Sequence, residues 1–180
     1  NPETGILRVV YDMMSFSVTE RKRPGPNRRS VEISLVTENA LMPVLDLSLF
    51  PNTVTDVFIQ IIQADAGTRC AGISAAAMAL ADAGIPMKDL VAAISVGKVG
   101  DKIVLDLNKE EEDYKEGSTD IPVAVMPRNG EISLLQLDGD VSKDDLLQAL
   151  KMAKKGCDEI YKIQRQALKE KYSGGNEDEL

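Results

Sequence analysis

Apolar residues follow two different periods along this chain, and each period predicts a type of element. Short runs with apolar residues at alternating or consecutive positions are typical of strands. They occupy residues 6–11, 13–18, 53–63, 90–97, 102–107, 121–127 and 131–139. Apolar residues that recur every three or four positions predict helices. These occupy residues 27–41, 68–82 and a last stretch that begins near Ser142.

Turn-forming residues separate the predicted elements and fix their order. Val99-Gly100-Asp101 and Arg128-Asn129-Gly130 each divide two strand-like runs, and Asn-Gly is a strong hairpin signal. The run 53–63 carries apolar side chains on both faces, which predicts a buried central strand. The resulting order, β-β-α-β-α-ββ-ββ-α, predicts an α+β fold, or an α/β fold of two layers.

The composition excludes several common kinds of active site. A chain of 180 residues forms one domain or two small lobes, and this one contains no histidine. Ser-His-Asp triads and His-ligated zinc are therefore excluded. Cys70 and Cys157 are expected to be core thiols of a reducing compartment, which favours a cytoplasmic protein. No apolar run of about 18 residues occurs, so no contact with a membrane is expected.

Charge is unevenly distributed over the chain, whose net charge is −8. Residues 20–29 carry five cations against Glu20, a local charge of +4. Residues 106–120 carry seven acids against two lysines, a local charge of −5. This contrast suits a phosphate-bearing substrate together with a divalent cation. The alternative is two solvated loops, which is the commoner meaning of charge runs.

A tight turn at the start of the second helix has the parts of an anion site. Gly67 permits close approach of the backbone, and helix N-terminal N–H groups favour negative charge. Thr68 adds a hydroxyl group, and Arg69 adds a guanidinium that matches phosphate geometry. The alternative is that Arg69 forms a surface ion pair and that the glycine only turns the chain.

Three segments taken together resemble the RNase PH family. They are ERKRPGPNRRSVEIS (20–34), IIQADAGTRCAGISAAAMALADAGIPM (61–87) and DLNKEEEDYKEGSTDIPVAVMP (106–127). The first two are similar in particular to the catalytic RNase PH-like subunits of archaeal exosomes. The resemblance implies a ribosomal protein S5 domain 2-like fold that is incomplete at its N-terminus. It also implies a first lobe over 1–86, a second lobe over 87–172 and a disordered tail over 173–180.

The resemblance implies that the protein is a 3′-to-5′ exoribonuclease that uses inorganic phosphate as co-substrate. Phosphate attacks the terminal phosphodiester of RNA and releases nucleoside diphosphates. The implied roles are phosphate binding by Gly67, Thr68 and Arg69, RNA binding by Arg28 and Arg29, and catalysis with binding of Mg²⁺ or Mn²⁺ by Asp113 and Asp120. Glu110, Glu111 and Glu112 are expected to be a solvated helix face.

The implied partners are single-stranded RNA 3′ ends, a related non-catalytic RNase PH-like subunit in a hexameric ring, and RNA-binding cap subunits. Two departures from the family pattern stand out. Strands that precede the first one in relatives are missing here, so we expect an unpaired sheet edge and poor folding of this chain alone. Asp113 and Asp120 also lie one residue further apart than is usual. Two alternatives stay open: a non-catalytic RNA-binding ring subunit, and a stand-alone tRNA-trimming RNase PH.

Overall fold

The computed structural model describes residues 3–115 and 117–173, and it confirms the α+β class. The strands are β1 (Ile6–Met13), β2 (Val54–Ile61), β3 (Ala92–Val99), β4 (Lys102–Leu105), β5 (Ser118–Met126) and β6 (Glu131–Leu135). The α-helices are α1 (Arg28–Leu41), α2 (Thr68–Asp82), α3 (Lys109–Glu112) and α4 (Lys143–Ser173). Two 3₁₀ turns, Met42–Val44 and Leu47–Leu49, follow α1. Most of the predicted tail, residues 174–180, lies outside the described residues.

The strands form two sheets. β1 and β2 pair in parallel, with Ile6 opposite Val54, and α1 is the crossover between them. The second sheet is antiparallel in the order β4-β3-β5-β6, and it contains both predicted hairpins. The central pair, β3 and β5, places Gly97 opposite Asp120.

Each face of the β3–β5 pair packs on its own apolar cluster because successive side chains of a strand point to opposite faces. Ile94 and Val123 face α4, where Ala153 and Cys157 are fully buried. Ala93 and Ala124 belong to the other cluster, which contains α1, α2, β1 and β2. Even-numbered positions of β5, including Asp120, are thereby directed towards α1 and α2.

Helix α1 lies along β1 and hydrogen-bonds to its backbone. The N–H of Val9 donates to Glu38 Oε1 at 2.8 Å, and the N–H of Tyr11 donates to Ser34 Oγ at 2.9 Å. These amides alternate along β1, as the amides on one edge of a strand do. Side chains of α1 therefore accept hydrogen bonds from backbone N–H groups along this edge of β1.

The predicted helix ends are confirmed. Asn27 and Ser30 form a reciprocal capping box at the start of α1. Gly67, with φ of 58°, precedes α2, and Gly84, with φ of 76°, follows it. The short helix α3 was not predicted. Asn108 caps it by accepting from the N–H of Glu111 at 2.9 Å.

The extended structure predicted over 13–18 is wrong. β1 ends at Met13, and the following residues fold into turns in which the N–H of Ser17 donates to the Met14 carbonyl at 2.9 Å. Ser17 is buried although it is polar. The alternating pattern of this segment therefore arises from a turn that buries a small polar residue, which periodicity alone cannot distinguish from a strand.

The prediction of a central strand over 53–63 is also wrong for the described part of the chain. There β2 has β1 as its one strand neighbour. Val57 and Ile59 are buried as expected, whereas Phe58 and Ile62 are each 69% exposed. The strand thus buries one face and leaves Val54 and Phe58 exposed on its outer face, beside the polar side chains of Asp56 and Gln60.

Candidate active site

The N-terminal ends of α1 and α2 meet α3 and the start of β5 around a cavity of about 480 Å³. We call this the central cavity. Four of the predicted site residues line it: Arg29, Arg69, Asp113 and Asp120. Its other lining residues are Glu32, Glu112, Ser118, Pro122, Gln136, Leu137, Asp138 and Gly139. Two cations and several acids from distant parts of the sequence therefore share one opening.

The turn before α2 has an unusual backbone. Ala66 and Gly67 both have φ near 60° (60° and 58°), in the left-handed region. A left-handed conformation is unfavourable for any residue that has a β-carbon. Glycine at position 67 therefore favours this turn, whereas Ala66 adopts the conformation at an energetic cost. Among the residues that the structure describes, no side chain caps the helix at Gly67. The first turn of α2 can therefore bind an anion through its N–H groups.

The hydroxyl group of Thr68 has a partner that the sequence did not reveal. It lies 2.7 Å from the hydroxyl of Tyr11 in β1, and both side chains are buried. Burial raises the pKa of Tyr11 above its usual value. The contact fixes the start of α2 against β1, and Thr68 also lines a neighbouring cavity of about 640 Å³ together with Lys22, Arg29 and Lys109.

Arg69 is held on two sides. Its guanidinium donates to Glu32 Oε2 at 3.1 Å and to Gln136 Oε1, while Gln136 Nε2 donates to Glu32 Oε1 at 3.0 Å. The Arg69 side chain is only 17% exposed. Arg69 thus has the ion pair of the alternative interpretation, but it lies in the wall of the cavity and not on an open surface. Phosphate binding by Gly67, Thr68 and Arg69 stays a prediction.

Asp120, in β5, lines the cavity, and hydrogen bonds hold both its side chain and its backbone. Ser95 Oγ donates a hydrogen bond to Asp120 Oδ1, and Ser95 is itself 2% exposed. The backbone N–H groups of Asp120 and Asp138 each donate to the other residue's carbonyl at 2.9 Å. A β-carbon at Gly97, opposite Asp120, would lie 1.9 Å from the Thr119 carbonyl oxygen, so only glycine permits this close pairing.

Asp113 lies at the end of α3 and is the more exposed of the two predicted catalytic carboxylates. It pairs with Lys109 at 2.6 Å, and its side chain is 63% exposed. Asp65, in the turn before α2, accepts from the N–H of Lys109 at 3.0 Å. The segment that carries Asp113 is thereby attached to the turn that carries Gly67.

The expectation that Glu112 is part of a solvated helix face is wrong. Glu112 is half-buried and lines both cavities. Burial, followed by the charge of Asp120, raises the pKa of its carboxyl group. A charge run gives no sign of which acid turns inward, because that depends on where α3 meets β5.

The predicted metal ligands fit a magnesium or manganese ion in one respect. Asp113 and Asp120 line the same cavity, and Mg²⁺ commonly binds one or two carboxylates together with water and substrate phosphates. Within residues 3–115 and 117–173, no group of three or more His, Cys, Asp or Glu side chains is arranged to hold a metal. Water and substrate oxygens would therefore complete the coordination.

The two predicted RNA-binding arginines differ in position. Arg29 lines both cavities, whereas Arg28, also exposed, is absent from the residues that line either one. Both lie in the first turn of α1, after the Pro24-Gly25-Pro26 loop. Their role in RNA binding stays a prediction.

Sequence reasoning missed the residues that hold the predicted ones in place. Glu32, Gln136, Ser95 and Tyr11 contact Arg69, Asp120 or Thr68 across large distances in sequence. Glu32 lies in one of the three segments that carried the family resemblance, but no pattern marked it as a partner of Arg69. For the other three residues the sequence offers no signal.

None of the helices in the described residues is long and apolar enough to cross a membrane.

Comparisons with known proteins match both halves of the chain to one family. The RNase PH model described as 3′ exoribonuclease family, domain 1, matches residues 1–86, and the model described as domain 2 matches residues 89–156. The fold is similar to the crystal structure of rice (Oryza sativa) Rrp46, with a TM-score of 0.82 at 25% identity, covering 94% of this chain and 76% of that one.

Archaeal relatives are more similar in sequence. The chain is 59% identical over 171 residues to the exosome complex component Rrp41 of Thermococcus gammatolerans, covering 95% of this chain and 68% of that protein. It is 61% identical to Rrp41 of Thermococcus kodakarensis over the same shares. It is 56% identical to Rrp41 of Methanopyrus kandleri, covering 96% and 72%. The resemblance that three sequence segments suggested is confirmed, and the chain belongs to the RNase PH family of 3′ exoribonucleases.

Proposed function

We propose that this protein degrades RNA from the 3′ end by phosphorolysis, as the catalytic subunit of an exosome core ring. One observation carries the proposal: Arg29, Arg69, Asp113 and Asp120 line a single cavity in a member of a 3′ exoribonuclease family. The cations suit the phosphates of substrate and co-substrate, and the acids suit the leaving oxygen. A non-catalytic ring subunit would have no need of this combination.

The start of α2 is the proposed site of inorganic phosphate. Helix N–H groups and the guanidinium of Arg69 would hold the phosphate in line with the last phosphodiester. An oxygen of the phosphate attacks the phosphorus of that bond, and the bond from phosphorus to the 3′ oxygen of the penultimate nucleotide breaks. Positioning and charge stabilisation supply most of the rate enhancement in such transfers.

The acids are the proposed proton donors and metal ligands. The leaving 3′ oxygen gains a proton, and the released nucleotide carries the attacking phosphate away as a nucleoside diphosphate. Asp120, fixed by Ser95, and Asp113 line the cavity in which that oxygen would lie, and they are the proposed donors. A bound Mg²⁺ or Mn²⁺ would neutralise charge that develops on the phosphoryl oxygens.

RNA is the proposed ligand of the basic loop and the start of α1. Arg28 and Arg29 would contact backbone phosphates of the last nucleotides, which positions the strand without reading its bases. The local charge of +4 over residues 20–29 would add attraction at longer range.

The proposed assembly is a hexameric ring with a related non-catalytic RNase PH-like subunit and RNA-binding cap subunits. The archaeal relatives named Rrp41 are exosome components, which supports this assignment. The family matches over 1–86 and 89–156 support two lobes with a boundary near residue 87. We place the assembly in the cytoplasm because both cysteines are free thiols.

Asp113→Asn tests the proposal. In the full-length protein assembled with its partner subunit, we expect loss of nucleoside diphosphate release from a 5′-labelled single-stranded RNA. RNA affinity should change little, because the substitution removes a charge but no phosphate contact. Glu110→Gln is the matched control: it neutralises an exposed acid of the same helix that does not line the cavity, and it should retain activity.

Two outcomes would contradict the proposal. Wild-type turnover by Asp113→Asn would remove Asp113 from the chemistry. Release of nucleoside monophosphates by the wild-type assembly, with no dependence on added phosphate, would replace phosphorolysis by hydrolysis.

A further inference from the structure

Three side chains from distant parts of the chain close a ring of hydrogen bonds at the wall of the central cavity. Arg69 donates to both Glu32 and Gln136, and Gln136 donates to Glu32. The ring joins α1, α2 and the segment after β6. The backbone N–H of Gln136 also donates to the Pro122 carbonyl at 3.1 Å, which ties the ring to β5 two residues beyond Asp120.

The ring leaves Arg69 able to bind a ligand. An arginine carries five N–H donors. Contacts within the described residues use two of those of Arg69, which leaves three for a ligand. Each oxygen of Glu32 accepts one bond, and the amide of Gln136 uses its oxygen towards Arg69 and its nitrogen towards Glu32. Only one orientation of that amide satisfies both neighbours, so the ring fixes the guanidinium in position and direction.

A fixed guanidinium is worth more to a reaction than a mobile one. Arginine has a long side chain with several rotatable bonds, and ordering it at the moment of reaction would cost entropy. Donors that are already aimed at the developing charge need no reorganisation. The Arg69 side chain is 17% exposed and the Glu32 side chain is 42% exposed, so this ion pair is partly shielded from solvent.

We propose that Glu32 is a positioning residue that aims Arg69 at the inorganic phosphate, with Gln136 as its brace. The inference rests on the proposed function, because it gives Arg69 the phosphate. It predicts that substitutions of Glu32 change the KM for phosphate and do not change the KM for RNA.

Glu32→Ala and Glu32→Gln, compared with Arg69→Ala, test the inference. All are measured in the full-length protein with its partner subunit, as KM for phosphate, KM for RNA and kcat. Glu32→Ala should raise the KM for phosphate about tenfold, the effect of losing one hydrogen bond to a charged group, and should leave the KM for RNA unchanged. Glu32→Gln should give a smaller rise, because its amide oxygen still accepts from Arg69 while its amide nitrogen faces the donor of Gln136.

Folding defects do not confuse this readout, since KM does not depend on the fraction of active protein. Glu159→Ala is the charge control. It removes an exposed acid of α4 that does not line the central cavity, and it should leave all three parameters unchanged. Arg69→Ala should raise the KM for phosphate in degradation and slow the reverse addition of nucleoside diphosphates, since both directions cross one transition state.

Three results would overturn the inference. If Arg69→Ala raises the KM for phosphate but Glu32→Ala does not, Glu32 has no positioning role although the phosphate site stands. If Glu32→Ala lowers that KM, Glu32 competes with phosphate for Arg69. If neither variant changes it, the phosphate assignment of Arg69 itself fails, and the inference fails with it.

Discussion

Ser95 gives the candidate site one hydroxyl group, and that hydroxyl holds an oxygen of Asp120. We predict that Ser95→Ala lowers kcat by about tenfold or more, the cost of a hydrogen bond to a charged group, and changes the KM for phosphate little. Ser133→Ala is the control, because the buried Ser133 hydroxyl has no hydrogen-bond partner within the described residues. Steady-state kinetics measures both variants. An unchanged kcat in Ser95→Ala would show that catalysis does not depend on the hydrogen bond from Ser95 to Asp120.

Arg28 and Arg29 are separate side chains with a shared electrostatic role. We predict that Arg28→Glu/Arg29→Glu weakens binding of single-stranded RNA for every sequence. Two lost phosphate contacts should reduce the slope of log affinity against log salt by about 1.4 on single strands. Fluorescence anisotropy over a salt series measures the slope. If the double variant discriminated between base sequences instead, the arginines would be reading bases.

At this scale the sequence predicted the residues that carry charge but not the residues that hold them. Arg69 and Asp120 stand in segments with a recognisable local pattern. Their partners do not, because Gln136 lies 67 residues from Arg69 and Ser95 lies 25 residues from Asp120. Only the fold brings such pairs together, and a serine in an apolar strand has the same local pattern whether or not it meets an acid.

Among the elements, the β3–β5 pair depends on one glycine. We predict that Gly97→Ala destabilises the protein by several kcal/mol, about the cost of overpacking a core site, because the new methyl group would meet the Thr119 carbonyl at 1.9 Å. Activity should fall as well, since Asp120 pairs with this position. Gly25→Ala in the basic loop is the comparison: it has open space, so its φ of 98° alone sets a cost of about 1–2 kcal/mol. Thermal unfolding measures both, and equal losses would mean that the strands can separate without strain.

The two cysteines report on how helices α2 and α4 pack. Burial raises the pKa of Cys70 and that of Cys157 to about 12. At pH 8 roughly one thiol in 10⁴ would be ionised, so both should react with a thiol reagent only as the protein opens. The reaction rate should rise steeply across the denaturant midpoint. Fast labelling of the folded chain would show that α2 or α4 separates from the sheet locally.

The elements that the sequence predicted well have local causes. Asn27 and Gly67 mark the starts of α1 and α2 by their own backbone preferences, and Asn129-Gly130 sets a hairpin turn. Two failures have non-local causes. Residues 14–18 turn away from β1, and Ser17 is buried there against other elements. β2 leaves one face uncovered because the neighbouring elements, and not its own residues, decide what covers it.

For the whole molecule, the outer face of the β1–β2 sheet is the feature that bears on assembly. Its exposed apolar side chains are Ile6, Val10, Val54, Phe58 and Ile62. A patch of this kind in contact with water favours association. We predict that the chain without its partner subunit is inactive and self-associates, whereas the assembly with the partner subunit is soluble and active. Light scattering with a phosphorolysis assay tests this, and a monodisperse monomer that degrades RNA processively would refute the need for a ring.

The side chains of α1 that accept hydrogen bonds from the amides of β1 affect the form that such association takes. An incoming strand could extend the sheet at β1 only by expelling the Glu38 carboxylate from the Val9 amide and the Ser34 hydroxyl from the Tyr11 amide. Templated growth at this strand therefore carries a penalty that contact through an apolar face does not. At β1 the fold is thus protected against the fibrillar route of association.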